Sequence, residues 1–188
     1  VKPFVAIDFE TANEKRASAC AVGLVRYDDR GQEVGQYATL LRPHEDLDWF
    51  SFRNIQVHGI TADDVIGAPA WDDVHPDISD FVGDLPLVAH NMAFDGYVLS
   101  DLASLYGLAQ SANRRMCTLR LSRKLLATEL CSKSLDLVFR HYFPSDSFVH
   151  HEASADARAC GRIFARMQSE YGYEELEKLC PPTGVLTR

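Results

Sequence analysis

The spacing of apolar positions divides the chain into strands first and helices later. Phe4-Val5-Ala6-Ile7 is an unbroken apolar run that stops at acids, the pattern of a short strand buried on both faces in mid-sheet. Ala17 to Tyr27 and Val34 to Leu41 are β-favouring runs joined by Asp28-Asp29-Arg30-Gly31-Gln32, a turn composition with glycine where φ is expected to be positive. Trp71, Val74, Ile78, Phe81 and Val82 recur at helical spacing, and Pro76 predicts that this helix starts near it or kinks there. Leu87-Val88-Ala89 reads as a second core strand. Phe94, Val98, Leu102 and Leu105 mark an amphipathic helix that Gly107 ends. Arg115 to Thr118 reads as a fifth strand, and Leu119 to Ala127 and Leu135 to Phe143 as helices. Pro144 to His150 is an aperiodic loop, followed by a long helix whose inward stripe is Ala155, Ala159, Ile163 and Met167 and which Gly172 ends.

A hairpin meander followed by strands alternating with helices predicts an α/β fold: a mixed sheet with helices packed on it. At 188 residues with 46% hydrophobic content, one domain with one sizeable core is expected. The division expected is a domain over residues 1–172 and a C-terminal helix and tail over 173–188, leaving open a further region beyond it. No run approaches the roughly 20 apolar residues of a membrane span, and no signal peptide precedes the first strand, so a soluble, cytoplasmic protein is expected. Five scattered cysteines without a C-x-x-C pair suggest neither a disulfide framework nor a zinc site, and are read as buried free thiols.

The formal net charge of −8 argues against a nucleic-acid partner until its distribution is considered. From Glu45 to Asp84 there are ten acids and one base, whereas from Arg114 to Lys133 there are six bases and one acid. A polyanion would approach through the second stretch.

Three short motifs carry candidate chemistry. Asp8-Phe9-Glu10-Thr11 ends the first core strand, and side chains two apart on a strand share a face, so the two carboxylates look the same way. Like charges at the end of a core strand are costly unless cations neutralise them; taken alone, the motif is more readily an exposed strand end with its acids in solvent. His90-Asn91-Met92-Ala93-Phe94-Asp95 lies between the second core strand and its helix, with Asn91 placed to cap the helix and Asp95 in its first turn. Asp95 faces the first pair if those two strands are neighbours. His151-Glu152-Ala153-Ser154-Ala155-Asp156 leads from the loop into the long helix. The spacing H-x-x-x-x-D occurs five times in the chain, and only here does a flexible lead-in meet a long helix.

Together, D-F-E-T, H-N-x-x-F-D and H-x-x-x-x-D resemble, in order, the three motifs of the DEDDh exonucleases, relatives of the proofreading epsilon subunit of bacterial DNA polymerase III. Val57-His58-Gly59-Ile60-Thr61, Cys117-Thr118-Leu119 and Ser134-Leu135 look like that family's intervening segments, so the resemblance covers roughly residues 4 to 170. It implies a ribonuclease-H-like fold: a five-stranded sheet of an antiparallel meander plus parallel strands. It implies that Asp8, Glu10, Asp95 and Asp156 hold two Mg²⁺ or Mn²⁺ ions, with His151 as general base. It further implies that Phe9 and Thr11 flank a terminal nucleotide, and that His58, Asn91 and Phe94 lie near the substrate; for Phe9 and Phe94 core packing is the competing reading. Glu152 stands where the family often has a basic residue. The activity implied is hydrolysis of nucleic acid from a single-stranded 3′ end to nucleoside 5′-monophosphates, DNA before RNA, with a DNA polymerase as possible partner. An exoribonuclease, or a non-catalytic domain that holds nucleic-acid ends or a polymerase, are the alternatives.

Overall fold

The computed structural model describes residues 1–183. Within them five strands, β1 (Phe4–Thr11), β2 (Ala19–Tyr27), β3 (Glu33–Leu40), β4 (Leu87–Ala89) and β5 (Arg115–Cys117), form one sheet in the order β3-β2-β1-β4-β5. β1 to β3 are an antiparallel meander, and β4 and β5 add to β1 in parallel. The mixed five-stranded sheet expected from the sequence is present. Gly31 takes φ +74° in the β2–β3 turn, where a side chain would be strained.

Among the described residues, seven α-helices surround the sheet: α1 (Phe52–His58), α2 (Trp71–Val82), α3 (Met92–Tyr106), α4 (Thr118–Leu125), α5 (Leu135–Tyr142), α6 (Ala153–Tyr171) and α7 (Tyr173–Leu179). The period-two alternation of β1 separates two cores. Phe4 and Ala6 pack with Ile163, Phe164 and Met167 of α6, where Phe4 lies flat on Tyr27 at 4.8 Å. Val5, Ile7 and Phe9 face the other way, toward Trp71, Val74 and Ile78 of α2 and Val98 and Leu102 of α3. α7 follows residue 172, and its Tyr173 and Leu176 share the α6-side core. The tail expected beyond it lies partly outside the described residues.

Two details differ from the sequence reading: α2 starts five residues before Pro76, and a helix that reading did not mark, α1, is present. α2 runs unbroken through Pro76. Proline removes the bond its nitrogen would make to the Asp72 carbonyl, but both residues lie on the exposed face, where water can meet that carbonyl. α1 has no buried residue, so it leaves no apolar stripe to read; it is defined instead by the Ser51 hydroxyl accepting the Asn54 N–H at 3.2 Å and by Gly59 at φ +76°. Of the five thiols, four are buried and Cys131 is exposed.

Candidate active site

The alternation that sends Phe4 and Ala6 toward α6 continues to Asp8 and Glu10, which therefore project beyond that core at the strand's end. β4 pairs with β1 through Val5–Leu87 and Ala6–Val88, so the chain leaves β4 into α3 directly beside them. That adjacency brings in Asp95, whose Oδ1 accepts the backbone N–H of Phe9, midway between the two acids, at 3.1 Å. Asp156 arrives on the first turn of α6. Its approach depends on Gly23 of β2, paired with Asp8: a Cβ on Gly23 would lie 2.4 Å from the Ala153 backbone, so only glycine lets the start of α6 come so close to the sheet.

Carboxylate oxygens of Asp8, Glu10 and Asp156 lie within 4.8 Å of one another. Burial, then Asp95, Asp156 and Glu10, hold Asp8 well above the usual carboxylate range. Burial, followed by Asp156 and Asp95, pushes Glu10 up to about 8. Asp95 is raised by burial to about 7 despite the Phe9 N–H, and Asp156 is raised by burial against the opposing pull of His150. The charges that move Asp8 and Glu10 are other carboxylates, so the protein by itself does not favour four ionised groups here; bound cations would.

Two adjacent histidines border this cluster. The His150 Nδ1 lies 2.9 Å from both Asp156 oxygens, and the His151 N–H donates to Asp156 Oδ2 at 3.1 Å. Their rings stack at 3.8 Å and 18°. His151 has φ +68°, and its side chain is exposed in a groove shared with His58, between the β2–β3 hairpin and the end of α1. Burial, then His150, lowers its pKa, which favours the neutral, proton-accepting ring. His90 is different. Its Nδ1 meets the Thr118 hydroxyl at 2.9 Å and its Nε2 the Lys133 carbonyl at 2.8 Å, and burial pushes it down to about 4, so it is a neutral ring serving the framework.

The residues expected near substrate divide. Phe9 is 3% exposed and packs on Trp71, so its ring belongs to the core and only its N–H serves the site. Asn91 does not cap α3 through its side chain: it occupies the left-handed region at φ +88° and leaves its amide exposed. His58 accepts the Ile60 N–H at Nδ1 and donates from Nε2 to the Thr11 carbonyl, both at 3.0 Å, so its nitrogens are taken by backbone. Thr11 is buried, with Asn54 Nδ2 donating to its carbonyl at 2.8 Å and its hydroxyl at 3.2 Å. Phe94 stays partly exposed at the start of α3.

With this geometry in place, comparison with known proteins is decisive for the family: the description named Exonuclease, of ribonuclease T type, matches residues 5–164. The chain belongs to the exonuclease family. The resemblance read from its three motifs is thereby borne out.

Among curated relatives of this exonuclease-family chain, a PolC-type DNA polymerase III of Clostridium perfringens is 31% identical over 183 residues, covering 94% of the chain. Another PolC-type enzyme, from Thermotoga petrophila, is 30% identical over 182 residues, again covering 94%. The chain spans only 12% and 13% of their lengths. Among solved structures, exonuclease X in complex with 5′-overhanging duplex DNA superposes with TM-score 0.72 at 22% identity, covering 94% of this chain and 98% of the other. The nuclease domain of a DEDDh family member bound to rAMP gives 0.75 at 18%, covering 89% and 92%. These likenesses establish the ribonuclease-H-like exonuclease fold. No described helix is long and apolar enough to cross a membrane.

Three residues that position the site in this exonuclease-family chain escape a sequence reading. Gly23 looks like any strand glycine until α6 is placed over it. Asn54 ties α1 to Thr11 and also donates to the Asn13 carbonyl, a link between segments over 40 residues apart. His150 stands in plain view beside His151, but the motif spacing singles out only the second.

Proposed function

We propose that this chain is a divalent-metal-dependent 3′→5′ exonuclease that removes nucleoside 5′-monophosphates from a single-stranded DNA end. The observation that carries the reading is the convergence of Asp8, Glu10 and Asp156 within 4.8 Å, with Asp95 fixed beside them by the Phe9 N–H.

The donor set fits a pair of hard cations. It is all carboxylate oxygen and retains solvent access at Asp8, which suits Mg²⁺ or Mn²⁺ with part of their water shell. Asp8, Glu10, Asp95 and Asp156 would hold the ions, which when bound supply charge neutralisation for the attacking and leaving oxygens of a displacement at phosphorus. His151 takes the proton of the attacking water: its ring is exposed, it leans toward the neutral form, and its backbone is tied to Asp156. The loop before α6 lets that ring adjust as substrate enters. Phe94 offers a stacking face to the terminal base without discriminating among bases. His58 and Thr11, bonded to each other, form the wall beside it, and the exposed amide of Asn91 is free to meet the sugar or phosphate.

The rest of the strand has a path out. A groove beside motif two is lined by His90, Arg123, Cys131, Lys133 and Ser134, within the basic stretch of an otherwise acidic chain. Arg123 and Lys133 would pair with backbone phosphates there, a sequence-independent contact. The kinship with PolC-type polymerases favours DNA as substrate and a polymerase as partner. Digestion of single- and double-stranded DNA and RNA, each labelled separately at either end, tests polarity, sugar and strandedness together. Shortening of single-stranded DNA from the 3′ end is expected; attack from the 5′ end, or equal indifference to added metal, would refute the reading.

A further inference from the structure

We infer that His150, His151 and Asp156 form a separate transition-metal site, and that a borderline divalent ion such as Zn²⁺ bound there competes with the carboxylate centre for Asp156. One donor atom from each of these residues lies within 4.8 Å of the other two. The set differs in kind from that of Asp8, Glu10 and Asp156, since it offers two imidazole nitrogens and one carboxylate. Imidazole suits Zn²⁺, Ni²⁺ or Cu²⁺, whereas all-oxygen sets suit Mg²⁺ and Mn²⁺.

The donor atoms are near enough to meet one ion once the stacked rings of His150 and His151 part, because rings 18° from parallel do not aim both in-plane lone pairs at one point. Donors about 2.1 Å from one tetrahedral ion sit roughly 3.4 Å apart. The His150 Nδ1 is already 2.9 Å from each Asp156 oxygen, so small side-chain rotations open room for the ion. Nδ1 must present its lone pair, so on binding its proton moves to Nε2 or leaves to solvent. Phe139 packs on Phe148, and Phe148 meets His150 edge to face at 5.6 Å, which backs the first ligand, while the His150–His151 stack is the contact that binding opens. His150 is about one-third exposed, which gives an ion a way in, while Asp156 is 5% exposed and fixed in α6. His58 shares the groove but does not join, because its nitrogens are engaged by Thr11 and Ile60. Of the two histidines, only His151 is needed by the motif spacing; His150 is what turns a lone imidazole into a chelating pair.

The consequence for the nuclease, which rests on the reading proposed above, is inhibition. An ion in the nitrogen set draws Asp156 away from the carboxylate centre and occupies the ring of His151. Millimolar Mg²⁺ would not populate this site, and micromolar Zn²⁺ would.

The test is Zn²⁺ affinity of the full chain, measured by competition with a chromophoric chelator in saturating Mg²⁺, with Co²⁺ as a visible-absorption probe of nitrogen ligation. Wild type is expected to bind one Zn²⁺ at micromolar affinity or tighter. His150→Gln and His151→Gln should each weaken it by about tenfold or more and alter the Co²⁺ spectrum, whereas Asp8→Asn, which weakens the competing carboxylate centre, should leave it unchanged or tighter. Thermal melting of each variant verifies folding, and the two histidine variants probe the same site independently. Unchanged affinity in both histidine variants, or loss in Asp8→Asn with the histidine variants intact, would overturn the proposal. Neither result bears on Mg²⁺-dependent digestion by wild type, so the two readings fail separately.

Discussion

The backbone N–H of Phe9 donates to the Asp95 carboxylate at 3.1 Å, which locks the first turn of α3 onto the end of β1 and sets the third acid beside Asp8 and Glu10. One main-chain bond thus joins two motifs 86 residues apart. Asp95→Ala should therefore lose the metal-dependent rate by at least about two orders of magnitude, read as kcat on a single-stranded substrate. Asp95→Asn keeps an oxygen for the Phe9 N–H but not the charge, so it should fold normally and remain nearly inactive. Activity close to wild type in Asp95→Asn would count against a role in holding cations.

The site is costly to the metal-free fold. Asp8, Glu10 and Asp95 all have folded-state pKa values raised by burial and by neighbouring carboxylates, so the folded chain holds protons that the unfolded chain has already released. Stability from this source is full below the unfolded carboxylate range near 4 and is lost as pH rises through the folded values of about 7 and about 8. In chelator, the melting temperature should fall between about pH 4 and 8, each kcal/mol amounting to about 2–4 °C for a chain of this size. Asp8→Asn should flatten that slope, and millimolar Mg²⁺ should raise the melting temperature most at the alkaline end. A wild-type slope of the opposite sign would contradict the electrostatics described here.

The two histidines of the motifs separate by readout. His151→Ala should lower kcat by about 10²- to 10⁴-fold with little change in melting temperature, as expected for an exposed proton acceptor. His90→Ala should do the reverse, because it removes a buried ring bonded to Thr118 and Lys133 and leaves those groups without their partner, at about 1–3 kcal/mol. The opposite ranking would make His90 the base.

Most of the fold was legible because its elements announce themselves locally. Period-two alternation in β1, the apolar stripe of α6, and glycines at Gly31, Gly107 and Gly172 place strands, helices and turns within a few residues. Period-two spacing put Asp8 and Glu10 on one face, and the resemblance of the three motifs to the DEDDh family implied that Asp156 joins them, as it does. What stayed hidden depends on contacts between distant segments. Whether Phe9 stacks on a base or on Trp71 is decided by α2, and the meaning of Gly23 by the approach of α6. Asn91 looked like a helix cap because asparagine usually is one, but here the chain enters α3 through the left-handed region, and the side chain turns outward.

Gly23 carries a sharp prediction. A Cβ there collides with backbone rather than with a side chain that could step aside, so Gly23→Ala must push the start of α6 off the sheet. A destabilisation of about 1–3 kcal/mol is expected from such overpacking, together with weakened metal affinity as Asp156 retreats from Asp8. Wild-type stability and metal affinity in Gly23→Ala would show that α6 has slack the structure does not display.

The phosphate path proposed through Arg123 and Lys133 should reveal itself in salt dependence. Replacing both with Gln should weaken binding to a single strand by a similar factor for any sequence, and should reduce the slope of log K against log salt by about 0.7 for each phosphate that is no longer neutralised. An unchanged slope would place the strand elsewhere.

The proposed chemistry has Asp8, Glu10, Asp95 and Asp156 acting together through divalent ions to cut from a 3′ end. The most direct measurement is the product pattern of a 5′-labelled single strand incubated with wild type and with Asp8→Asn, each with Mg²⁺ and with chelator. A ladder shortening from the 3′ end, produced only by wild type with metal and accompanied by nucleoside 5′-monophosphates, is the predicted result. A ladder that persists in chelator, or that Asp8→Asn produces at the wild-type rate, would contradict it.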